Sequence, residues 1–219
     1  MSFSRHKNYQ LLQFYRRLPA DVRGHSVRVS VYMQVLLRQL LQTAPELCPD
    51  FSSFGEDALL ELVREGGFYH DIGKIMVPQE ILKKHGKLTP AERAEIKKHP
   101  IYTQTLLEPF LDTAHPQDRA FLKTVIEIGK AHHERWDGAG YPYGLKGADI
   151  PFYARLCAVA DAYDAMLSRR AYSPSFSDTH AVREIESCAG TQFDPAIVEV
   201  FSACRGNLQN INERRNNSK

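Results

Sequence analysis

The chain is poor in cysteine and tryptophan and has almost no net charge. Its four cysteines, Cys48, Cys157, Cys188 and Cys204, stand far apart with no CxxC spacing. That excludes a zinc ribbon or a vicinal redox pair and points to reduced thiols in a cytoplasmic protein. With 28 Lys and Arg against 26 Asp and Glu, the formal charge is +2. No global basic field therefore favours long nucleic acid or an anionic membrane surface, and an anionic ligand must be met locally. Long apolar runs are missing too. Met1 to Leu18 mixes Arg5, Lys7, Arg16 and Arg17 with apolar residues, unlike a signal peptide. The most apolar stretch, Phe152 to Leu167, is interrupted by Arg155, Asp161 and Asp164. It falls short of the roughly 20 residues of a membrane helix, so no membrane insertion is expected. No alternating strand pattern of useful length occurs, which leaves an all-α class.

What is present is helical periodicity with clear punctuation. From Val22 to Leu41, the residues Val27, Val31, Val35 and Leu36 predict a long amphipathic helix that ends before Pro45 and Pro49. A second helix is expected over Glu56 to His70, with a turn at Gly73. Thr89-Pro90-Ala91-Glu92 combines a capping hydroxyl, proline at the first helical position and glutamate three residues after the cap. The helix it starts is expected to carry His99. Pro116 to His133 reads as another helix, delivering His132 and His133 at its end. Trp136 to Pro151, with four glycines and two prolines, reads as a loop. Further helices are expected over Tyr153 to Ser168, from near Ser177, and from Asp194-Pro195. The expected organisation is an N-terminal helical extension over 1–20, one domain over 21–206 and a polar, frayed tail over 207–219. The segment before Asp21 is too short for a sensor or receiver domain.

Histidines and carboxylates fall near helix ends or apolar faces on several of these elements: Asp21, His25, His70, Asp71, His99, His132, His133 and Asp161. Asp21 and His25, four residues apart, share a face if the first helix includes both. The adjacent pairs His70-Asp71 and His132-His133 diverge by about 100° on a regular helix, so each pair can address two neighbouring ions. Imidazole and carboxylate without thiolate favour iron, manganese or zinc at water-bearing positions over a closed structural site. A single helical histidine is usually an ordinary core or surface residue, and His6, His85, His115 and His180 are read that way. Taken alone, His132-His133 would be a C-terminal cap that suits the helix dipole, and His70-Asp71 a hydrogen-bonded pair.

His70-Asp71-Ile72-Gly73-Lys74 resembles the signature of the HD phosphohydrolase superfamily. His132-His133-Glu134-Arg135-Trp136-Asp137-Gly138-Ala139-Gly140-Tyr141-Pro142 resembles that of its HD-GYP branch. The similarity continues through His99-Pro100, Gly144-Leu145-Lys146-Gly147, Ala160-Asp161, Asp164-Ala165 and Gly190-Thr191-Gln192-Phe193-Asp194-Pro195, covering roughly Asp21 to Phe201. The resemblance implies an HD-domain helical bundle with C-terminal HD-GYP helices. It also implies a metal-dependent phosphodiesterase that hydrolyses cyclic di-GMP to pGpG and onward to GMP.

The implied metal ligands are His25, His70, Asp71, His99, His132, His133 and Asp161, with Asp71 bridging two ions. Asp21 stands where some members use a glutamate for a third ion, but aspartate is one methylene shorter. Iron or manganese is the expected metal. Lys74 and Arg170 are implied phosphate or guanine contacts, and Arg155 and Tyr141 join them as substrate-binding candidates. Asp164, one turn after Asp161, is expected to orient a ligand histidine or Lys74. The family usually has proline at the site of Ala171, a base at that of Ser173 and glycine at that of Thr103. The loop Gly138–Gly147 is either a docking surface for a diguanylate cyclase (GGDEF) domain or a rigid turn packed by Trp136 and Tyr141. Two rival functions are hydrolysis of another cyclic dinucleotide and weakly active sensing or scaffolding.

Overall fold

The computed structural model describes residues 9–49, 52–168 and 176–216. Among these the fold is all-α, with one isolated bridge between Ala189 and Phe193. The helices are α1 (Tyr9–Arg17), α2 (Ala20–Thr43), α3 (Glu56–Tyr69), α4 (Gln79–Leu82), α5 (Pro90–Ile96), α6 (His99–Thr113), α7 (Pro116–Ala131), α8 (Phe152–Leu167), α9 (Asp178–Ser187) and α10 (Pro195–Asn216).

Helix α2 is the axis of the bundle, packed against α3, α8 and α10. Its buried face is Val29, Tyr32, Met33, Leu36, Leu37 and Leu40. Val27, expected on the inner face, is 45% exposed, while Val31 and Val35 are half-buried. The reason is the neighbours: covering α2 from three sides centres its buried arc on Met33 and Leu37 instead of on the valines.

Helix α3 fits between α2 and α7 because of two glycines. A Cβ on Gly67 would lie 2.8 Å from the Ser30 Cα, and one on Gly66 would lie 2.3 Å from the Ile128 side chain. These close approaches fix the end of α3, where His70 and Asp71 follow.

The described part of the expected N-terminal extension is helical and packs on the bundle: Leu11, Tyr15 and Leu18 lie in the core, and Tyr15 stacks on Phe68 with ring centroids 4.0 Å apart. Two expectations are corrected. The frayed tail is instead the second half of α10, which runs to Asn216. Leu208 is fully buried there, and Asn212 accepts from the Tyr32 hydroxyl while donating to that of Tyr163 at 3.1 Å. Finally, the helix capped by Thr89 ends at Ile96, and His99 opens a separate helix. Pro100 lacks the N–H that would have bonded the Ile96 carbonyl, so the chain breaks at Lys97 and Lys98. The Thr89 capping box itself is present, with Thr89 Oγ1 accepting from Glu92 N at 3.2 Å and Glu92 Oε2 from Thr89 N at 2.7 Å.

Candidate metal centre

A helix end leaves backbone carbonyls without partners, and three histidines here use such carbonyls to fix their tautomers. His70 follows α3 and donates from Nδ1 to Gly67 O at 2.7 Å. His99 donates from Nδ1 to Ile96 O at 2.8 Å, taking the acceptor that Pro100 frees. His132 follows α7 and shares its Nδ1–H between Gly129 O and Ile128 O, both at 3.1 Å, the latter also accepting from His132 N at 3.0 Å. A carbonyl can only accept, so Nδ1 carries the proton and each Nε2 is a bare lone pair.

Those lone pairs converge. His99 Nε2 and His132 Nε2 are 3.3 Å apart, and Asp71 Oδ1 lies 3.2 Å from the former and 3.9 Å from the latter. The other carboxylate oxygen, Asp71 Oδ2, faces His70 Nε2 at 3.4 Å and His25 Nε2 at 3.9 Å. His70 Nε2 and Asp71 Oδ1 are buried without a hydrogen-bond partner. Acceptors facing acceptors in a dry pocket are unfavourable unless a cation lies among them, so this donor set fits divalent metal.

Three overlapping groups have ligand atoms within 4.8 Å of one another: His99, His132 and His133; His25, His70 and Asp161; and His70, Asp71 and His132. The structure therefore brings together seven of the eight candidate ligands. Asp21 lies exposed in the first turn of α2 and belongs to none of these groups.

The charge pattern follows from burial and partners. Burial drives His99 down to about 3 against the pull of Asp71, and drives His132 down to about 4 with help from His70. Burial, with His132 and His99 beside it, holds His133 well below the usual imidazole range. His25 goes the other way. Burial disfavours its charge, but hydrogen bonds to Asp161 and Asp164 outweigh that and raise it to about 9. Burial pushes the Asp71 and Asp161 carboxyls up, yet Lys74 and His70 hold Asp71, and His25 holds Asp161, well below their ordinary value.

Asp164 is fully buried, and its Oδ2 accepts from His25 Nδ1 at 2.7 Å. Arg28 grips the same carboxylate with Nε at 2.5 Å and Nη2 at 2.8 Å, and Nη2 also reaches Ser168 Oγ. Of the two partners expected for Asp164, the structure supplies the histidine and not Lys74. Sequence reasoning missed Arg28, although its place three residues after His25 puts it on the same helix face. Lys74 Nζ lies 2.5 Å from Asp71 Oδ2.

Thr103 ties the ligand-bearing segments together. Its hydroxyl donates to His99 O at 3.0 Å and accepts from Gly73 N at 3.1 Å, while its methyl group would lie 2.4 Å from a Cβ on Gly129.

The loop after His133 is built from inside. Glu134, buried at the loop's base, accepts from Tyr143 N at 2.7 Å and Leu145 N at 3.1 Å. A Cβ on Gly140 would sit 2.3 Å from Arg135 N, so this turn must be glycine. The Tyr141 ring stacks on His133 with centroids 4.8 Å apart. Arg155, expected to contact substrate, is engaged at the base of this loop. Its guanidinium pairs with Asp194 at 2.5 Å, donates to Ile150 O at 3.0 Å and lies 5.7 Å from the Trp136 ring centre. Asp194 caps α10 through Ala196 N, and Arg155 satisfies its second oxygen. Arg170 and Ser173 lie outside the described residues. The cleft, about 480 Å³, is lined by His132, His133, Asp161, Tyr141 and Lys97 among others.

The HD domain family model matches residues 56–197. A Vibrio cholerae serotype O1 protein named cyclic di-GMP phosphodiesterase is 39% identical over 181 residues, 82% of this chain and 35% of its own. A Thermotoga maritima protein of the same name is 41% identical over 145 residues, 66% of this chain and 38% of its own. A Vibrio cholerae serotype O1 protein named 3′3′-cGAMP-specific phosphodiesterase 3 is 34% identical over 185 residues, 83% of this chain and 34% of its own. The chain thus spans little more than a third of the length of these relatives. Among solved structures, an HDG"Y"P protein from Bdellovibrio bacteriovorus superposes with a TM-score of 0.59 at 23% identity, over 86% of this chain and 52% of that one, a likeness of fold.

Proposed function

The chain belongs to the HD domain family, with the HD-GYP signature intact, and from that premise we propose that it is a metal-dependent phosphodiesterase that opens cyclic di-GMP to linear pGpG and cuts onward to GMP. The observation that carries this reading is the convergence of three tautomer-fixed Nε2 atoms on both oxygens of one buried carboxylate. Asp71 offers Oδ1 toward His99 and His132 and Oδ2 toward His70 and His25, which suits a bridge between two ions. Asp21 offers no support for a third. Imidazole and carboxylate donors without thiolate suit iron, manganese or zinc, and the HD-GYP resemblance favours the first two.

When bound, two such ions supply an acidified water and positive charge for cleaving a phosphodiester. The chain supplies the rest. Asp164 and Arg28 hold His25 in place, Lys74 adds a cation beside Asp71, and Tyr141 walls the cleft against His133. Lys74 is assigned to charge on the non-bridging oxygens.

A second reading, hydrolysis of 3′3′-cGAMP, is favoured by a relative carrying that activity in its name and by the metal ligands, which do not choose the base. No helix among the described residues is long and apolar enough to cross a membrane. A cytoplasmic location belongs to the same proposal, supported by free cysteines scattered apart. Docking of a GGDEF cyclase on the loop Gly138–Gly147 is supported by Tyr143 at its tip, 47% exposed.

The test is elemental analysis after anaerobic metal loading, with product chromatography on cyclic di-GMP and 3′3′-cGAMP. Two ions per chain and release of pGpG are expected. One ion or fewer, or no cleavage of either nucleotide, refutes the reading.

A further inference from the structure

Lys97 sits at the break between α5 and α6 that Pro100 imposes, two residues before His99. Its neighbours are committed elsewhere. Lys98 pairs with Glu95 at 2.6 Å, Lys84 with Glu92 at 2.7 Å and Lys74 with Asp71 at 2.5 Å. The Lys97 ammonium meets no carboxylate among the described residues. It lies 5.0 Å from the centre of the Tyr141 ring, and that ring stacks on His133 at 4.8 Å, which places the ammonium within about 10 Å of a candidate ligand ring. Lys97 lines the same cleft as His132, His133 and Asp161.

Two features distinguish this lysine from an ordinary solvated one. The surface beneath it is built: Tyr141 N donates to His133 O at 3.2 Å, and Gly140 packs against the backbone of Glu134 and Arg135. A cation over such a face is held by the ring quadrupole without losing its charge or its donors. The break in the helix also turns Lys97 toward the cleft while Lys98 stays with α5.

The substrate class adds the complementary charge. A cyclic dinucleotide carries two phosphodiesters, and only one is cut per turnover. The metal ligands and Lys74 address the scissile group, which leaves a second anion to be met inside the same cleft.

We propose that Lys97, carried on the face of Tyr141, forms an anion subsite for the phosphodiester that is not being cut, and so favours two-phosphate substrates over simple diesters. This rests on the phosphodiesterase reading above. The test compares Lys97→Ala and Lys97→Arg with wild type on cyclic di-GMP and on bis(p-nitrophenyl) phosphate, which has a single phosphodiester. Because Lys97 is exposed and its charge screened, the KM for cyclic di-GMP is expected to rise by no more than about ten-fold in Lys97→Ala relative to that for the simple diester. The kcat on cyclic di-GMP should stay within about two-fold, and Lys97→Arg should restore the KM. An unchanged KM ratio, or equal losses on both substrates, overturns the subsite. Wild type that cleaves the simple diester but no cyclic dinucleotide is a distinct outcome, overturning the substrate reading and the subsite with it.

Discussion

Thr103→Val removes a hydroxyl while keeping the shape of the side chain, so its effect isolates the bridge between Gly73 and His99. In the wild type the hydroxyl accepts from Gly73 N at 3.1 Å and donates to His99 O at 3.0 Å, in a position with no solvent exposure. Valine leaves the Gly73 N–H buried and unpaired, which costs about 1 to 3 kcal/mol. It also presses a methyl group into a space sized for an oxygen, adding about 1 kcal/mol. Thr103→Ser keeps the bridge and loses only the methyl beside Gly129, about 1 kcal/mol. Urea unfolding of the metal-free protein should therefore rank wild type above serine and serine above valine, although valine keeps more carbon. The same bridge sets the spacing of the His70–Asp71 turn from His99, so metal affinity measured by competition with a chelator should fall about 10-fold or more in valine. A valine variant as stable as serine, with unchanged metal affinity, would refute the reasoning.

Asp71→Ala should lose both metals and turnover together, since its two oxygens face the two ligand groups; retention of both ions by elemental analysis would exclude a bridge. Lys74→Ala should retain metal but lower kcat about 100-fold, with KM less affected, as expected for a cation that stabilises developing charge. Metal uptake should release a proton from His25, which is raised to about 9 without metal; calorimetry at about pH 7.5 in buffers of different ionisation enthalpy should detect it, and affinity should tighten as pH rises toward 9. In the metal-free protein the sign for His25 is opposite: its stabilisation is full below its unfolded value of about 6.5 and is lost as pH rises through about 9. His99 and His132, depressed to about 3 and about 4, withdraw stability as pH falls below about 6.5. Urea titrations across that range should show a maximum between the two limbs.

What could be read from the sequence was whatever a few adjacent residues decide. The Thr89 capping box and the starts of α9 and α10 depend on local hydrogen bonds and fall where the residues indicate, whereas α7 ends at Ala131, two residues before the expected His133. Seven candidate ligands were legible because signature blocks keep their order along the chain, even though no spacing shows that they meet. The face of α2 was not legible, since Val27 and Met33 are equally apolar and only the surrounding helices choose between them. Polar composition concealed α10 beyond Gly206 because one buried Leu208 and one Asn212 among polar neighbours suffice to dock it. The partner of Arg155 was not legible for a related reason. An arginine's sequence neighbourhood does not reveal which distant carboxylate it meets, and Asp194 lies 39 residues away.

The site also explains why helix ends, and not helix middles, carry its histidines. Inside a helix every carbonyl but the last few is occupied, so an imidazole there has no fixed acceptor for Nδ1 and either nitrogen can hold the proton. At the ends of α3 and α7, and at the break made by Pro100, free carbonyls take that proton and leave Nε2 as the donor atom. His25 is the exception that fits the rule. It lies within α2, where no backbone carbonyl is free, and Asp164 supplies the missing acceptor with Arg28 holding it in place. A carboxylate is a stronger acceptor than a carbonyl and raises the affinity of its histidine for a proton, so His25 begins charged and must lose a proton when metal arrives. The pH dependence of metal uptake is therefore written into one position by the element on which it stands.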